Sequence, residues 1–184
     1  MRRRALLASV PAAVAAGSAG CTIGDEPPPT DELTLSSPAF EETLPRRFTC
    51  DGEGASPPLV VEGVPDGTAS LALLGEWLRG YDPGTIWTVW NLPPEDPLSV
   101  PADRPRTERL EEPAGAVQGI NGGGSVGYRS PCHETPGDGD YRFSVLALDA
   151  ELDLEAGAGR DAFDDAVEPR VVSSNRLRAT YERF

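Results

Sequence analysis

Ile86–Leu92 (IWTVWNL) is built from aromatic, β-branched and other apolar residues, and it ends at Pro93-Pro94. Such residues fit the pleated, buried surface of a strand, and a proline pair cannot continue its hydrogen bonding. Two further apolar runs, Ser70–Leu74 (SLALL) and Arg142–Leu148 (RFSVLAL), have the same character. These three segments predict the central strands of a β-rich core.

Additional short strands are predicted on either side of these segments, at Leu33–Ser36, Leu59–Val61 and Leu177–Arg183. The chain has 19 Pro and 20 Gly, mostly between short apolar runs, as is typical of an all-β domain with many turns. Only residues 162–167 show apolar side chains at helical spacing, and Pro169 ends that pattern. Residues 33–184 therefore predict one mainly β domain, a β-sandwich with little helix.

The N-terminus has the pattern of an export signal. Arginines at 2–4 precede the mildly apolar run 5–16, and the small residues 18–20 lead into Cys21. Residues 1–20 are therefore predicted to be a signal peptide. Small residues before Cys21 resemble a lipobox, which predicts a lipid on that cysteine; the alternative is an ordinary signal peptide with an incidental cysteine. The arginine pair before Leu6-Leu7 resembles a twin-arginine export signal.

Residues 21–32 are rich in proline and acidic side chains and offer little to bury. They predict a short, stiff, solvated tether between the lipid and the domain. The expected location is the outer face of the cell membrane, with the chain held there through Cys21. Stable anchoring would need a two-chain lipid, since one acyl chain binds only marginally.

The chain is strongly acidic. It has 16 basic and 30 acidic residues, and every basic residue is Arg. Without residues 1–20 the balance is 13 basic against 30 acidic residues, or −17. This charge argues against binding to nucleic acid or to anionic lipid surfaces. It suits a protein from a salt-loving organism, where salt screens the self-repulsion, although codon usage is a rival explanation for the missing Lys.

The order of several short motifs resembles the phosphatidylethanolamine-binding proteins, in particular the bacterial and archaeal Raf-kinase-inhibitor-like group. The matching blocks cover about residues 33–184 in family order. They are Ser37-Pro38-Ala39-Phe40, Phe48-Thr49-Cys50-Asp51-Gly52-Glu53, Ser56-Pro57-Pro58-Leu59, residues 63–73, residues 89–94, Gly127-Tyr128, Pro131-Cys132, Ala147-Leu148-Asp149 and residues 179–183. The resemblance implies an antiparallel β-sandwich with one or two short helices and a small anion pocket at one end.

The family pocket implied by the resemblance uses histidines, a carboxylate, a tyrosine and loop amides. This sequence departs from that set. The expected Asp falls at Trp77, or at Glu76 if the alignment slips by one, and the two histidine positions fall at Ile86 and Gly139. Tyr141 matches the family's tyrosine. Ile cannot donate a hydrogen bond, so the pocket is either decayed or rebuilt with other donors.

The tentative ligand-binding residues are Glu76, Trp77, Arg79, Asp82, His133 and Tyr141. In a rebuilt pocket Arg79 would replace histidine as the anion donor, because a guanidinium fork suits phosphate and carboxylate. Trp77 could supply a stacking surface, whereas Trp87 and Trp90 lie in a strand and are expected in the core. His133, the only histidine, is on a loop that rims the family pocket; a solvated, idle His133 is the alternative.

The sequence matches known catalytic motifs only weakly. Gly123–Gly127 fits G-x-S-x-G, but a nucleophile elbow needs a strand before it and a helix after it, and no helical pattern follows. No spacing of His, Cys and acidic residues predicts a metal site, and no motif predicts a cofactor. We therefore expect a non-enzymatic binding protein for a small anion or phospholipid head group. The alternative is a protein-interaction or protease-inhibitor-like module.

Cys50 and Cys132 remain as a pair if Cys21 carries lipid. The resemblance places both in segments that flank the pocket, and an exported protein meets an oxidising environment. A disulfide between them is one expectation. Two free buried thiols are the other.

Overall fold

The computed structural model describes residues 33–81, 83–132 and 137–183. They form eight strands, which are β1 (Thr34–Ser36), β2 (Leu59–Glu62), β3 (Ser70–Leu78), β4 (Gly84–Leu92), β5 (Leu98–Val100), β6 (Val117–Gln118), β7 (Gly137–Leu148) and β8 (Val171–Arg183). The same residues contain one α-helix, α1 (Arg160–Val167), and short 3-10 turns at Arg46–Phe48 and Glu168–Arg170.

The strands make two antiparallel sheets. The larger has the order β6-β4-β3-β7-β8 and the smaller the order β1-β2-β5. The predicted antiparallel β-sandwich is therefore confirmed. The central strands β3, β4 and β7 are longer than their apolar runs predict, because each continues past them toward one end of the sheet. That end is where the candidate site lies.

The inner core fills the space between the two sheets. Leu71, Leu73 and Val145 of the large sheet face Leu59 and Val61 of the small one, and all five are at most 2% exposed. Trp87 also lies in this core, where its indole N–H donates to Gln118 Oε1 at 2.7 Å. The expectation that Trp87 is a core residue is confirmed.

The outer face of the large sheet is covered by α1 and the segment before it. Ala72, Leu74, Trp90 and Leu148 pack there against Phe163 and Val167 of α1, among other residues. Trp90 is fully buried, so its assignment to the core is confirmed as well. The helix begins two residues before the predicted apolar positions, and Pro169 falls in the 3-10 turn that follows it.

No helix within the described ranges is long and apolar enough to cross a membrane.

The two short strands β5 and β6 were not predicted. They have three and two residues, too few to show an alternating pattern. The predicted signal peptide, Cys21 and the tether lie outside the described residues.

Candidate functional site

A cleft lies at the end of the sandwich where β3 and β4 meet the loop before β7. Its volume is about 370 Å³, including space open to solvent. The residues that line it are Trp77, Arg79, Gly84, Thr85, Ile86, Gly122, Arg129, Ser130, Pro131, Cys132 and Tyr141. Among these described lining residues there are two cations and no acid.

One wall of the cleft is aromatic. Trp77 on β3 lies directly opposite Tyr141 on β7, and the two rings are nearly parallel, at 23°, with centres 6.4 Å apart. Trp77 is half-buried and Tyr141 is 1% exposed. Burial, together with the nearby Tyr181 and Asp140, raises the pKa of Tyr141 to about 12. Its hydroxyl therefore stays protonated at neutral pH.

Arg79 is held against this aromatic wall. Its guanidinium carbon lies 5.0 Å from the centre of the Trp77 ring, within the range of a cation–π contact. Gly84, across the hairpin, lies beside Arg79, since a Cβ there would make ordinary van der Waals contact with Arg79 Nε at 3.5 Å. Trp77, Arg79 and Tyr141, three of the tentative ligand-binding residues, thus line the same cleft.

A second cation, Arg129, was missed by the sequence analysis. It comes from the loop before Cys132 and lies against the glycine run 122–123. A Cβ on Gly123 would stand 3.3 Å from Arg129 Cδ, and one on Gly122 would stand 3.7 Å from its Nη1. The absence of a side chain at Gly123 therefore helps Arg129 to lie close to the backbone. The glycine run was the only sign in the sequence of such a close approach, but it does not identify Arg129 as the residue that packs against it.

Glu76 is not in the cleft. Successive residues of a strand point to opposite faces, so Glu76 points to the outer face while Trp77 points inward. Its carboxylate is 1% exposed and accepts hydrogen bonds from Arg142 Nη2 at 2.6 Å and Nε at 2.8 Å, and from Arg160 Nη1 at 3.0 Å. Both carboxylate oxygens are thus occupied by arginines. Glu76, one of the tentative ligand-binding residues, therefore does not line the cleft that contains Arg79 and Tyr141.

Ile86 occupies the cleft wall as the alignment implies. It is 4% exposed and supplies only apolar surface. Asp82 and His133 lie outside the described residues. Gly139, the second position expected to lack a histidine, belongs to β7 but is not one of the lining residues.

The cysteines close the cleft on one side. Cys50 and Cys132 form a disulfide with their Cα atoms 5.4 Å apart, and Cys132 lines the cleft. Two hydrogen bonds join the same loops: the Cys50 amide donates to the Pro131 carbonyl at 3.0 Å, and the Tyr128 hydroxyl donates to the Phe48 carbonyl at 2.9 Å. The loop that carries Arg129 is therefore fixed to the segment at 46–54.

The glycine-rich segment does not form a nucleophile elbow. Asn121–Val126 is a turn, closed by the Asn121 amide donating to the Ser125 carbonyl at 2.9 Å. Ser125 is exposed, and the helix of the described chain begins much later, at Arg160. Across the described ranges no group of three or more His, Cys, Asp or Glu side chains is placed to hold a metal ion.

Comparison with known proteins agrees with this fold. The family model described as phosphatidylethanolamine-binding protein matches residues 36–182. A UPF0098 protein of Methanothermobacter thermautotrophicus is 40% identical over 156 residues, covering 82% of this chain and 99% of the relative. A UPF0098 protein of Pyrococcus abyssi is 32% identical over 162 residues, covering 83% of this chain and 87% of the relative.

Solved structures give the same result. A phosphatidylethanolamine-binding protein homologue of Chlamydia trachomatis is similar with a TM-score of 0.73 and 29% identity, over 84% of this chain and 100% of that chain. Escherichia coli YbcL, described as a member of the mammalian family, is similar with a TM-score of 0.75 and 25% identity, over 83% and 99%. With its fold, its motif order and these matches in agreement, the chain belongs to the phosphatidylethanolamine-binding protein family.

Proposed function

We propose that this protein is a non-enzymatic binding protein that holds a small anion in the cleft. The observation that carries the proposal is the pair of arginines, Arg79 and Arg129, that line one cleft whose described residues include no acid. Phosphate and carboxylate oxygens accept charge-assisted hydrogen bonds from guanidinium groups, which are about twice as strong as neutral ones. The family name points to the same class of ligand, a phospholipid head group.

Preorganisation supports the proposal. Arg79 is held on the Trp77 ring and Arg129 lies on the glycine run, so less side-chain freedom is lost on binding. The site is therefore an altered family pocket in which arginines act where the family uses histidines, in contrast to a decayed one.

The proposed location is the outer face of the cell membrane. It rests on the sequence of residues 1–32, with a lipid on Cys21 and the acidic tether before the domain. A disulfide between Cys50 and Cys132 fits an exported protein, because such bonds persist in oxidising compartments. Mass spectrometry of the membrane fraction tests this: a mature chain that begins at Cys21 with a two-chain lipid is expected, and a soluble chain that retains residues 1–20 would refute it.

The binding proposal is tested by titrating inorganic phosphate in a calorimeter. Arg79→Gln and Arg129→Gln should each weaken binding roughly tenfold or more, since each removes charged hydrogen bonds. Arg109→Gln is the matched control, because Arg109 is exposed and lies outside the cleft while the charge change is the same. Equal affinity in all three variants would show that phosphate does not bind in the cleft.

A second candidate is the protein-interaction module. It rests on Tyr81, which is fully exposed at the tip of the β3–β4 hairpin beside the cleft. Leu78 of the same strand lines a second, open cleft together with Asp140 and Arg178, among other residues. Tyrosine is enriched at protein interfaces, so an exposed Tyr81 is compatible with contact to a partner protein. Loss of partner capture in Tyr81→Ala, with phosphate binding unchanged, would favour this function.

A further inference from the structure

Resting on the proposed anion site, we infer that Asn121 is a positioning residue for that site. It fixes the glycine turn, residues 121–126, against which Arg129 packs at the cleft wall. Asn121 is not one of the lining residues, so its effect on a bound anion has to pass through Arg129. The strength of anion binding therefore depends on a side chain that does not touch the anion.

The Asn121 side chain joins the two ends of the glycine turn. Its Oδ1 accepts a hydrogen bond from the Gly123 amide at 2.8 Å, and its Nδ2 donates to the Gly127 carbonyl at 2.8 Å. Because one partner is an N–H and the other a C=O, only this orientation of the side-chain amide satisfies both. Asn121 is 6% exposed, so water competes little for these bonds and their loss would leave buried polar groups unpaired.

The turn that Asn121 closes lies directly against Arg129. A Cβ on Gly123 would stand 3.3 Å from Arg129 Cδ and 3.4 Å from its Nε, so the Gly123 backbone and the arginine side chain are in close contact. The turn and the arginine are also attached to neighbouring residues of β4. The Gly122 amide donates to the Thr85 carbonyl, and the Arg129 amide donates to the Ile86 carbonyl, both at 2.8 Å. A turn that opened would leave one side of the Arg129 side chain without support.

Arg129 depends on this support because it is exposed. A long exposed side chain samples many rotamers, and ordering it when a ligand binds reduces the affinity. Arg79 has a different support, the ring of Trp77 at 5.0 Å. Asn121 should therefore affect the contribution of Arg129 to binding and leave that of Arg79 unchanged.

Calorimetric titration of inorganic phosphate into the purified protein tests the inference. Asn121→Ala removes both side-chain hydrogen bonds and should weaken phosphate binding about threefold to tenfold, the range expected when one long side chain has to be ordered on binding.

Asn91→Ala is the matched control. Asn91 makes the same pair of bonds outside the cleft lining, because its Nδ2 donates to the Leu152 carbonyl at 3.0 Å and its Oδ1 accepts from the Leu152 amide at 2.8 Å. This substitution should lower the free energy of unfolding but leave the phosphate affinity unchanged. Equal weakening of phosphate binding by the two variants would show a general loss of stability and overturn the inference.

A double-mutant cycle separates positioning of Arg129 from a general structural role. Added to Arg129→Gln, Asn121→Ala should change the phosphate affinity by less than roughly twofold, because the side chain that it positions is already absent. Added to Arg79→Gln, it should weaken binding by the same factor as in the wild type. Equal weakening in both backgrounds would overturn the inference.

Gly123→Ala tests the same contact by a second route and decides the question if Asn121→Ala does not fold. The added Cβ would stand 3.1 Å from Asn121 Oδ1 and 3.3 Å from Arg129 Cδ, so these atoms would have to move. Phosphate binding should weaken, whereas Gly159→Ala, where a Cβ meets nothing within 4 Å, should leave it unchanged. Unchanged affinity in either Asn121→Ala or Gly123→Ala would overturn the inference and leave the anion site standing. If the wild type binds no phosphate, the proposed function itself fails.

Discussion

At the scale of single residues, Glu76 and Trp77 show how adjacent positions acquire different roles. Trp77 points into the cleft, whereas Glu76 is buried on the outer face and joined to Arg142 and Arg160. The Arg160–Glu76 ion pair ties the start of α1 to β3, and Arg160 Nε also contacts both oxygens of Asp164 within the helix at 2.7 Å. A buried carboxylate of this kind needs its partners, because an unpaired buried charge is strongly destabilising.

Glu76→Gln should therefore lower the free energy of unfolding by about 2–3 kcal/mol, somewhat less than for a fully buried pair because both arginines are partly exposed. Urea unfolding followed by circular dichroism measures the change. Asp165→Asn is the matched control, since Asp165 is an exposed acid on α1, the helix that carries Arg160. This substitution should change the free energy of unfolding by less than about 0.5 kcal/mol. Equal effects of the two substitutions would mean that the buried ion pairs contribute nothing.

Asp51 gives a prediction about pH. The Tyr181 hydroxyl donates to Asp51 Oδ2 at 2.8 Å, and this hydrogen bond is the main cause that lowers the Asp51 pKa, with Arg183 and Arg46 assisting. A lowered folded-state pKa stabilises the fold fully above the unfolded value of about 3.9, and that stabilisation is lost as the pH falls through the folded value.

Tyr181→Phe should thus raise the Asp51 pKa toward its usual value, as measured by NMR titration of the carboxyl carbon. The stability advantage of the wild type over this variant should shrink as the pH is lowered from 6 to 2. Tyr81→Phe removes a hydroxyl that is fully exposed, so it should leave the Asp51 titration unchanged. An unaltered Asp51 pKa in Tyr181→Phe would contradict the assignment.

At the scale of elements, the outer edge of β8 is partly closed. The Thr180 amide donates to the Glu42 carbonyl at 2.7 Å, and the Leu44 amide donates to the Thr180 carbonyl at 2.8 Å. Farther along, the Arg176 amide donates to Asn175 Oδ1 at 2.7 Å. These bonds use backbone groups that an exposed edge strand would otherwise offer to another chain.

The end of β6 depends on the absence of a side chain. A Cβ on Gly119 would overlap Thr88 Oγ1 and stand 2.6 Å from the Ala158 carbonyl oxygen, and a backbone atom cannot move away cheaply. Gly119→Ala should therefore destabilise the protein by about 1–3 kcal/mol through overpacking. Thermal unfolding tests this against Gly159→Ala, where a Cβ meets nothing within 4 Å. A Gly119→Ala variant as stable as Gly159→Ala would show that β6 can shift freely.

At the scale of the whole molecule, the Cys50–Cys132 disulfide joins residues 82 positions apart. Closing so long a loop stabilises by roughly 4 kcal/mol on the chain-entropy model, and engineered cases often give less. Replacing both cysteines by serine should lower the urea midpoint, and reductant should do the same to the wild type but not to the variant. Cys50 and Cys132 should resist thiol labelling until reductant is added. Labelling of both cysteines without reductant would show that they do not form a disulfide.

The strands were largely predictable because their signal is local. Residues 70–74, 86–92 and 142–148 carry apolar, β-branched and aromatic runs that need only their own neighbours to be recognised. The family resemblance then pointed to the end of the sandwich where Trp77, Arg79 and Tyr141 line a cleft. The apolar run predicted a strand that ends at Leu74, whereas β3 extends to Leu78. The alternation of strand faces, which places Glu76 and Trp77 on opposite sides, was therefore not applied to Glu76.

By itself, therefore, the sequence determined a mainly β sandwich, its acidic charge and the loss of the expected donor at position 86. That Arg129 lines the cleft with Arg79, and that Glu76 is bound by arginines on the other face, became visible only in the folded molecule. The difference arises from distance along the chain. Strand patterns arise between near neighbours, whereas these contacts join residues far apart in sequence and depend on register and loop packing, which short-range patterns do not encode.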